Sequence, residues 1–329
     1  MMMSHKIFSW LASAVICSLL LTAGCTAPTR DAATLELKLA PQDSTAYKVT
    51  TEMEDSVKFE GFLPDQIASK DSRNHNRIEI TFDQRIQSTD DKGNAVAKIT
   101  IKKLKYVSIH RDNLVLDFDS SREKDQDKPM AKLIGQGYTI EIAPTGEVTK
   151  VIDVKQADQA VRSASTPPKV AVRLIDPTVI KERHGILTLP VTDKNQLRTG
   201  DNWSSIKAFD FRMMGSKSYE RIYTLKETKD TNGRQVAVIE MNAIPSSEMA
   251  EQLHKEQATP DFSKLFDDSG WQYTGRLKLD LTAGKVEEYL EKLQSEWVAV
   301  DPSAGREGDS EPAVLRMTAT RLYHLEKID

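Results

Sequence analysis

The sequence predicts a mainly β protein of the α+β class, with a duplicated antiparallel sheet bent into a half-barrel and helices between the two halves. Three observations lead to this expectation. Several segments alternate apolar and polar residues, two hairpin patterns recur in the same order, and the middle of the chain changes to helical spacing. A sheet with one buried and one wet face accounts for a period of two.

The alternation is clearest in residues 77–83 and 271–282. Their apolar positions form a candidate apolar face, made of Ile78, Ile80, Phe82, Trp271, Tyr273, Leu277 and Leu279. Along 95–109 the apolar parity changes after Ile101, which predicts a β-bulge that bends the sheet. The sequence does not decide whether this face lines a cavity or belongs to a filled core.

A ten-residue pattern, D-x-x-G-x-x-V-A-x-I, occurs at residues 90–99 and again at 230–239. Asp and Gly suit a tight turn, and Val-Ala-x-Ile suits the returning strand, so each copy predicts a β-hairpin. A second pair of strand, glycine turn and strand follows in the same order, around Gly146 and Gly284. We expect two superposable halves with these glycines at equivalent turns.

Helical patterns lie between and within the halves. Residues 155–164 are good helix formers, and Asp176-Pro177 supplies an N-cap and a first-turn proline for a second helix. Residues 246–255 predict a third helix, whereas 120–128 carry only charge and turn formers and predict a solvated loop. We expect about twice as much strand as helix.

The first 24 residues predict a secretory signal peptide, since Lys6 precedes an apolar run over 7–21 that is too short for a confident membrane span. Small residues stand directly before Cys25, and Leu21-Thr22-Ala23-Gly24-Cys25 closely resembles the bacterial lipobox. We therefore expect cleavage before Cys25 and lipid attachment to its thiol. The chain divides into signal peptide 1–24, lipidated tether 25–33, first β-rich repeat 34–154, helical connector 155–185 and second β-rich repeat 186–329.

The lipid is the expected link to a membrane of the cell envelope. Thr26 after the cysteine, with no Asp there, resembles sorting to the outer membrane, facing the periplasm or the surface, if the source is Gram-negative. Cys17 leaves with the signal, so Cys25 has no partner for an internal disulfide. A net charge of -4 with both signs mixed gives no basic stripe, and we expect no nucleic-acid partner.

No pattern in the sequence predicts catalysis, a metal or a cofactor. The histidines of the mature chain lack metal-ligand spacing and are interpreted as surface or helix-end residues: His75, His110, His184, His254 and His324. No G-x-S-x-G, P-loop or G-x-G-x-x-G motif occurs. Trp203, which opens a strand after Gly-Asp, is interpreted as a core residue.

A series of short motifs in fixed order carries a family resemblance. They are Asp119-Ser120 before Pro129, Leu133-Ile134-Gly135, Ile140 to Val148, Leu189-Pro190-Val191 and Gly200-Asp201-Asn202-Trp203. In this order the chain resembles an uncharacterised family of bacterial envelope lipoproteins, a domain of unknown function. The resemblance covers most of the mature chain and implies an envelope location and a β-rich fold, but no catalytic residue.

Two functions remain open at this point. The first is a structural or interaction module of the envelope, in which helices around Ala160 and Ile180 fill the bent sheet and another surface meets a protein partner. The second is a carrier or acceptor of lipid or another hydrophobic ligand, since a bent apolar sheet resembles the half-barrel of periplasmic lipoprotein carriers and their outer-membrane acceptor. An acyl chain needs a cavity of a few hundred Å³.

Overall fold

The computed structural model confirms a mainly β fold. It describes residues 32–61, 71–163, 169–186, 188–248, 266–301 and 312–328. These residues are 63% strand and 13% helix, so strand exceeds helix by more than the expected factor of two. Ala32–Asp329 form one compact unit. Within the described ranges, no helix is both long and apolar enough to cross a bilayer.

The described strands are long in the sheet and short at its margins. They are β1 Ala33–Thr34, β2 Ser44–Glu60, β3 Ser72–Thr89, β4 Ala95–His110, β5 Asn113–Asp119, β6 Gly137–Ile142, β7 Val148–Asp153, β8 Gln196–Leu197, β9 Asn202–Asp210, β10 Ser216–Thr231, β11 Arg234–Ser246, β12 Asp267–Asp280, β13 Lys285–Asp301 and β14 Ala313–Ile328. The helices are α1 Lys155–Arg162, α2 Lys169–Leu174 and α3 Pro177–His184.

Twelve strands form one open antiparallel sheet. Its order is β7-β6-β4-β3-β2-β14-β13-β12-β11-β10-β9, and β5 pairs with the part of β4 that β6 leaves free. Among the described residues, β7 and β9 are the outermost strands of this sheet and do not pair with each other. β1 and β8 form a separate two-stranded pair. The antiparallel sheet and the open, bent arrangement expected from the sequence are both present.

The sheet bends strongly along its length. The register of β3 and β4 shifts where Phe82 pairs with Ile101 and Thr81 pairs with Lys103, which is the predicted bulge. In the second half, Lys207 Nζ of β9 lies 2.5 Å from a carboxylate oxygen of Glu291 on β13. Four strand spacings separate these strands, roughly 19 Å in a flat sheet, so only a bent sheet brings the side chains together.

The two halves share an order of elements. Gly93 lies between β3 and β4 and Gly233 between β10 and β11, and both have a positive φ. Gly146 lies between β6 and β7 and Gly284 between β12 and β13, again with positive φ. The glycines therefore occupy corresponding turns. The boundaries at 34–154 and 186–329, and the superposition of the halves, stay predictions.

Strand direction gives the sheet two different ends. The turn end carries the short turns at 90–94, 143–147, 232–233 and 281–284. The loop end is opposite and carries the links from β2 to β3, β4 to β5, β9 to β10, β11 to β12 and β13 to β14. Residues 35–39, the strap, cross the turn end. Leu37 N donates to Pro144 O at 2.8 Å and Lys38 N to Gly284 O at 3.0 Å.

The helical predictions are largely confirmed. α1 lies within 155–164, and α3 begins after Asp176, whose carboxylate accepts from the backbone N of Thr178 and Val179. The sequence analysis missed α2. Ser246 ends β11, and most of the third helical candidate, 246–255, lies outside the described residues.

The prediction of a solvated loop at 120–128 is wrong for Asp125, which is buried. The segment contains a 3-10 turn, Glu123–Asp125, and the Asp125 side chain is completely buried. Asp125 accepts from Arg122 Nε at 2.6 Å, pairs with Lys128 Nζ at 2.5 Å and caps the backbone N of Asp119 at 2.9 Å. Pairing with two cations lets a charged residue be buried where the composition alone indicates exposure.

Candidate functional site

The seven residues of the candidate apolar face lie on one side of the sheet, the inner face. Cross-strand pairing joins the two halves through a single row, which runs Ile80, Val49, Leu325, Tyr289 and Leu277. Directly paired residues in an antiparallel sheet point to the same side, so this row is continuous. The sequence analysis found both parts of the face but not the strands β2, β14 and β13 that connect them.

Most of the candidate face is buried. Ile80, Phe82, Tyr273, Leu277 and Leu279 are each no more than 2% exposed, and Ile78 is half-buried. Trp271, near the loop end, is the exception with 38% exposure. A face buried to this degree is packed against other parts of the protein.

In the first half the connector covers the inner face. The His184 ring at the end of α3 lies edge-on to Phe82, with ring centroids 4.6 Å apart. Tyr138 on β6 hydrogen-bonds His184 Nε2 at 2.6 Å, and Arg183 Nη1 donates to the Tyr138 hydroxyl at 3.3 Å. Burial, with Arg183 as a second cause, holds the pKa of His184 well below its usual value. The imidazole is therefore neutral, and its Nε2 shares one hydrogen bond with the Tyr138 hydroxyl.

In the second half the inner face is filled by side chains of the sheet itself, around the carboxylate of Glu291. Arg221 Nη1 donates to Oε1 at 2.8 Å, and Lys207 Nζ and the Tyr273 hydroxyl donate to Oε2 at 2.5 and 3.0 Å. The Tyr289 hydroxyl also donates to Oε1. Four donors satisfy the carboxylate, and we call these five residues the Glu291 cluster.

The Glu291 cluster is ionised although it is buried. Glu291 is 3% and Arg221 2% exposed. Burial alone raises the pKa of Glu291, but Lys207 and Arg221 outweigh this effect and hold the pKa at about 2. Burial and the charge of Glu291 raise the pKa of Tyr273 and Tyr289 well above the usual value, so both hydroxyls remain donors.

The sequence analysis did not identify this cluster, although one signal was present. Arg221 stands between Tyr219 and Tyr223, and Glu291 between Tyr289 and Leu293, at positions of apolar parity. A charged residue at such a position predicts a buried ion pair when a partner of opposite charge occupies the same face. Finding that partner requires the strand order.

Aromatic side chains fill the inner face between the Glu291 cluster and the loop end. Phe209 and Tyr273 are in edge contact with centroids 5.4 Å apart, and Phe211 meets Trp297 at 5.0 Å. Trp203, interpreted from the sequence as a core residue, is half-buried and packs against the core: it stacks on Tyr223 and donates from Nε1 to Thr188 O at 2.7 Å.

A small cavity remains at the turn end. It lies between the strap and the inner face, is lined by Leu37, Tyr47, Phe82 and His184 among others, and has a volume of about 40 Å³. This volume suits one or two water molecules and is far below the several hundred Å³ of ligand pockets.

Three side chains on the outer face bring potential metal ligands together. Ligand atoms of Glu52, Glu54 and His75 lie within 4.8 Å of one another, a grouping that sequence spacing did not show. Glu52 already pairs with His75 Nε2 at 3.0 Å and with Arg77 at 3.2 Å, and Arg73 lies 3.9 Å from Glu54. Two arginines balance the two carboxylates, so the group is an ion-pair network.

The lipid-attachment residue predicted from the sequence, Cys25, lies outside the described residues. His254 also lies outside them, and His110 is exposed as expected. His75 and His324 are half-buried on the sheet, and each contacts a glutamate. His184 is at a helix end, as interpreted, but is buried.

Comparison with known proteins adds little to this description. No protein-family model matches the sequence, and no curated protein matches it. Among solved structures, the chain aligns with a lipovitellin structure, described by its lipid–protein interactions, at 10% identity and a TM-score of 0.43. The alignment covers 88% of this chain and 25% of lipovitellin. DynF from the dynemicin biosynthesis pathway of Micromonospora chersina aligns over 90% of this chain and 86% of its own at 6% identity, with a TM-score of 0.19.

Proposed function

We propose that this protein is a lipid-anchored envelope lipoprotein that acts as an interaction module, with its loop end as the surface that meets a protein partner. The supporting observation is the location of exposed apolar side chains. Five of the seven large ones among the described residues lie at the loop end: Leu114, Val115, Ile244, Trp271 and Val300. Leu114 and Val115 are adjacent and are 64% and 66% exposed, and exposed apolar residues that adjoin one another are typical of protein–protein contact surfaces.

The filled inner face supports an interaction module over a carrier. A carrier of the half-barrel type holds its ligand against the inner face, but here α3 covers that face in the first half and the Glu291 cluster fills it in the second. Among the described residues, the turn-end cavity of about 40 Å³ is too small for an acyl chain. The remaining observation in favour of a carrier is the open, apolar sheet that ends at the partly exposed Trp271.

Site-specific photo-crosslinking in cells tests the interaction module. A photoreactive amino acid at Val115 should give a discrete protein adduct, whereas the same probe at Ile152, which is 43% exposed on the edge strand β7, should give none. Leu114→Ser should abolish the Val115 adduct, and Ile152→Ser should leave it unchanged. Equal adducts from both positions, or an adduct that survives Leu114→Ser, would contradict the proposal.

Native mass spectrometry tests the carrier alternative. The mature domain with Cys25→Ser, purified gently from its own envelope, should carry no lipid. Leu279 is fully buried, so Leu279→Trp should lower the free energy of unfolding by roughly 1–3 kcal/mol through overpacking. Bound lipid in the parent, lost in Leu279→Trp without a stability change, would favour the carrier.

Anchoring is tested separately. Cys25→Ser should remove the lipid mass and release the protein from membranes into the soluble fraction, because the thiol is the acceptor in a lipobox. Unchanged pelleting of the variant, together with no lipid mass on the parent protein, would contradict anchoring at this residue.

A further inference from the structure

The chain enters the folded unit at the turn end of the sheet. β1 pairs with β8, and Leu35 N donates to Asn195 O at 2.8 Å. The strap then crosses the turn end, where Lys38 Nζ donates to Leu281 O at 2.8 Å and Thr89 Oγ1 donates to Leu39 O at 2.6 Å. These bonds fix the point from which any N-terminal tether must start.

The tether is short relative to the sheet. Seven residues separate Cys25 from Ala33, and the eight Cα–Cα steps between them span at most about 29 Å when fully extended. β4, with 16 residues, carries the chain from the turn end to the loop end, roughly 50 Å at the usual strand rise. The lipid can therefore stay close to the turn end but cannot reach the loop end.

We infer that the turn end faces the lipid bilayer surface and that the loop end is held about 50 Å further from it, the strand length at the usual rise. This inference rests on the proposed lipid attachment at Cys25. The occupant of the turn-end surface is the phospholipid headgroup layer. Val191, an exposed apolar residue four positions before the strap's partner Asn195, lies on the membrane side in this orientation.

The alternative is a sheet that lies flat on the membrane along its outer face. Much of that face carries balanced ion pairs: Lys48 pairs with Glu326, Lys102 with Asp83, and Glu288 with Arg276 and Lys278. A balanced surface gains little from anionic lipid, because attraction and repulsion largely cancel. The upright orientation also presents Leu114 and Val115 to partners across the aqueous space.

Energy transfer to the membrane measures this orientation directly. The mature chain contains Cys25 as its single cysteine, and the lipid occupies that thiol, so an introduced cysteine is the sole labelling site. A fluorophore is attached to one of three variants, Lys92→Cys, Lys102→Cys or Val115→Cys. These positions lie at the turn end, within β4 and near the loop end, so they sample increasing distances along the sheet. The lipidated proteins are incorporated in vesicles of phosphatidylethanolamine and phosphatidylglycerol that contain an acceptor-labelled lipid.

Transfer should fall in the order Lys92, Lys102, Val115, with several-fold more transfer at the first than at the last. Twelve Gly/Ser residues inserted after Thr26 should reduce the difference in transfer between the three positions, because a long flexible tether no longer keeps the turn end close to the membrane. Equal transfer at all three positions would show a flat sheet, and highest transfer at Val115 would show insertion of the loop end. Either result overturns the orientation. Failure of lipid attachment itself would appear separately, as absent lipid mass and no vesicle binding.

Discussion

The two halves of the sheet solve the same packing problem in different ways. In the first half, the inner face is covered by a separate layer, in which α3 places Ile180 and a neutral His184 against the sheet. In the second half, long side chains from β9 and β10 reach across the bend and surround the ionised Glu291. Similar strand and turn patterns therefore do not dictate the same core. The inner face is covered by a helix of the connector in one half and by side chains of the sheet in the other.

The difference has an energetic consequence. Apolar packing against a helix tolerates small changes with local adjustment, whereas a buried carboxylate with four donors depends on every partner. Removing one member of a buried ion pair leaves an uncompensated charge in a low-dielectric site. We therefore expect the Glu291 cluster to be more sensitive to a single polar substitution than the neutral contact of His184 with Tyr138 in the first half.

The largest expected effect is at the Glu291 cluster. Glu291→Gln leaves Arg221 buried without its counterion and should lower the free energy of unfolding by about 3–5 kcal/mol. Urea denaturation of the mature domain measures the change. Glu288→Gln is the matched control, because Glu288 lies on the outer face of the same strand in partly exposed ion pairs with Arg276 and Lys278.

The control should cost no more than about 1 kcal/mol, as surface pairs do. Similar losses in the two variants would show that the Glu291 cluster contributes no more than an exterior pair. The two halves would then differ in how their inner faces are packed but not in their sensitivity to loss of a charge.

Sequence reasoning predicted the inner face better than its contents. Alternation placed Ile80 and Leu277 on apolar faces, and the parity change after Ile101 located the bulge, because both are local properties of a strand. The two cationic partners of Glu291 lie 70 and 84 residues earlier, on strands whose order in the sheet no local pattern specifies. The burial of Asp125 was missed for a related reason. A segment rich in charged residues is expected to be exposed unless the ion pairs of its side chains are known.

A smaller effect should separate the turns of the second half. Gly284 and Gly233 both have a positive φ, so an added Cβ costs about 1–2 kcal/mol at each. A Cβ at Gly284 would also overlap the backbone N and side chain of Lys38 in the strap, whereas none of the neighbours of Gly233 lies within 4 Å of such an atom. Gly284→Ala should therefore cost roughly 1–3 kcal/mol more than Gly233→Ala through overpacking.

Thermal denaturation of both alanine variants measures this difference. Equal melting temperatures would mean that the strap moves away from the turn at no cost. In that case the turn end would not fix the start of the tether, and the inferred orientation would lose its structural basis.

The smallest expected effect is a pH dependence that distinguishes the two halves. Burial lowers the pKa of His184 below its value of about 6.5 in an unfolded chain. As pH falls below 6.5, the unfolded state binds a proton that the folded state does not, so stability is present above this pH and is lost below it. The slope reaches at most about 1.4 kcal/mol per pH unit for one proton. Glu291 contributes at lower pH, because its folded pKa of about 2 lies below the usual value of 4.5, and its contribution to stability is lost as pH falls between those two values.

Urea denaturation from pH 7.5 to 5 should thus show a decline in the parent protein that His184→Gln reduces. The Gln side-chain amide can replace Nε2 in the hydrogen bond with Tyr138 but does not titrate. Partial desolvation by neighbouring protein raises the pKa of Glu182 although its surface is exposed, so its contribution to stability grows as pH falls; Glu182 is present in both proteins and cancels in their difference. An identical pH slope in parent and variant would show that the unfolded and folded states protonate His184 alike, and the neutral, buried imidazole would not be what packs the first half.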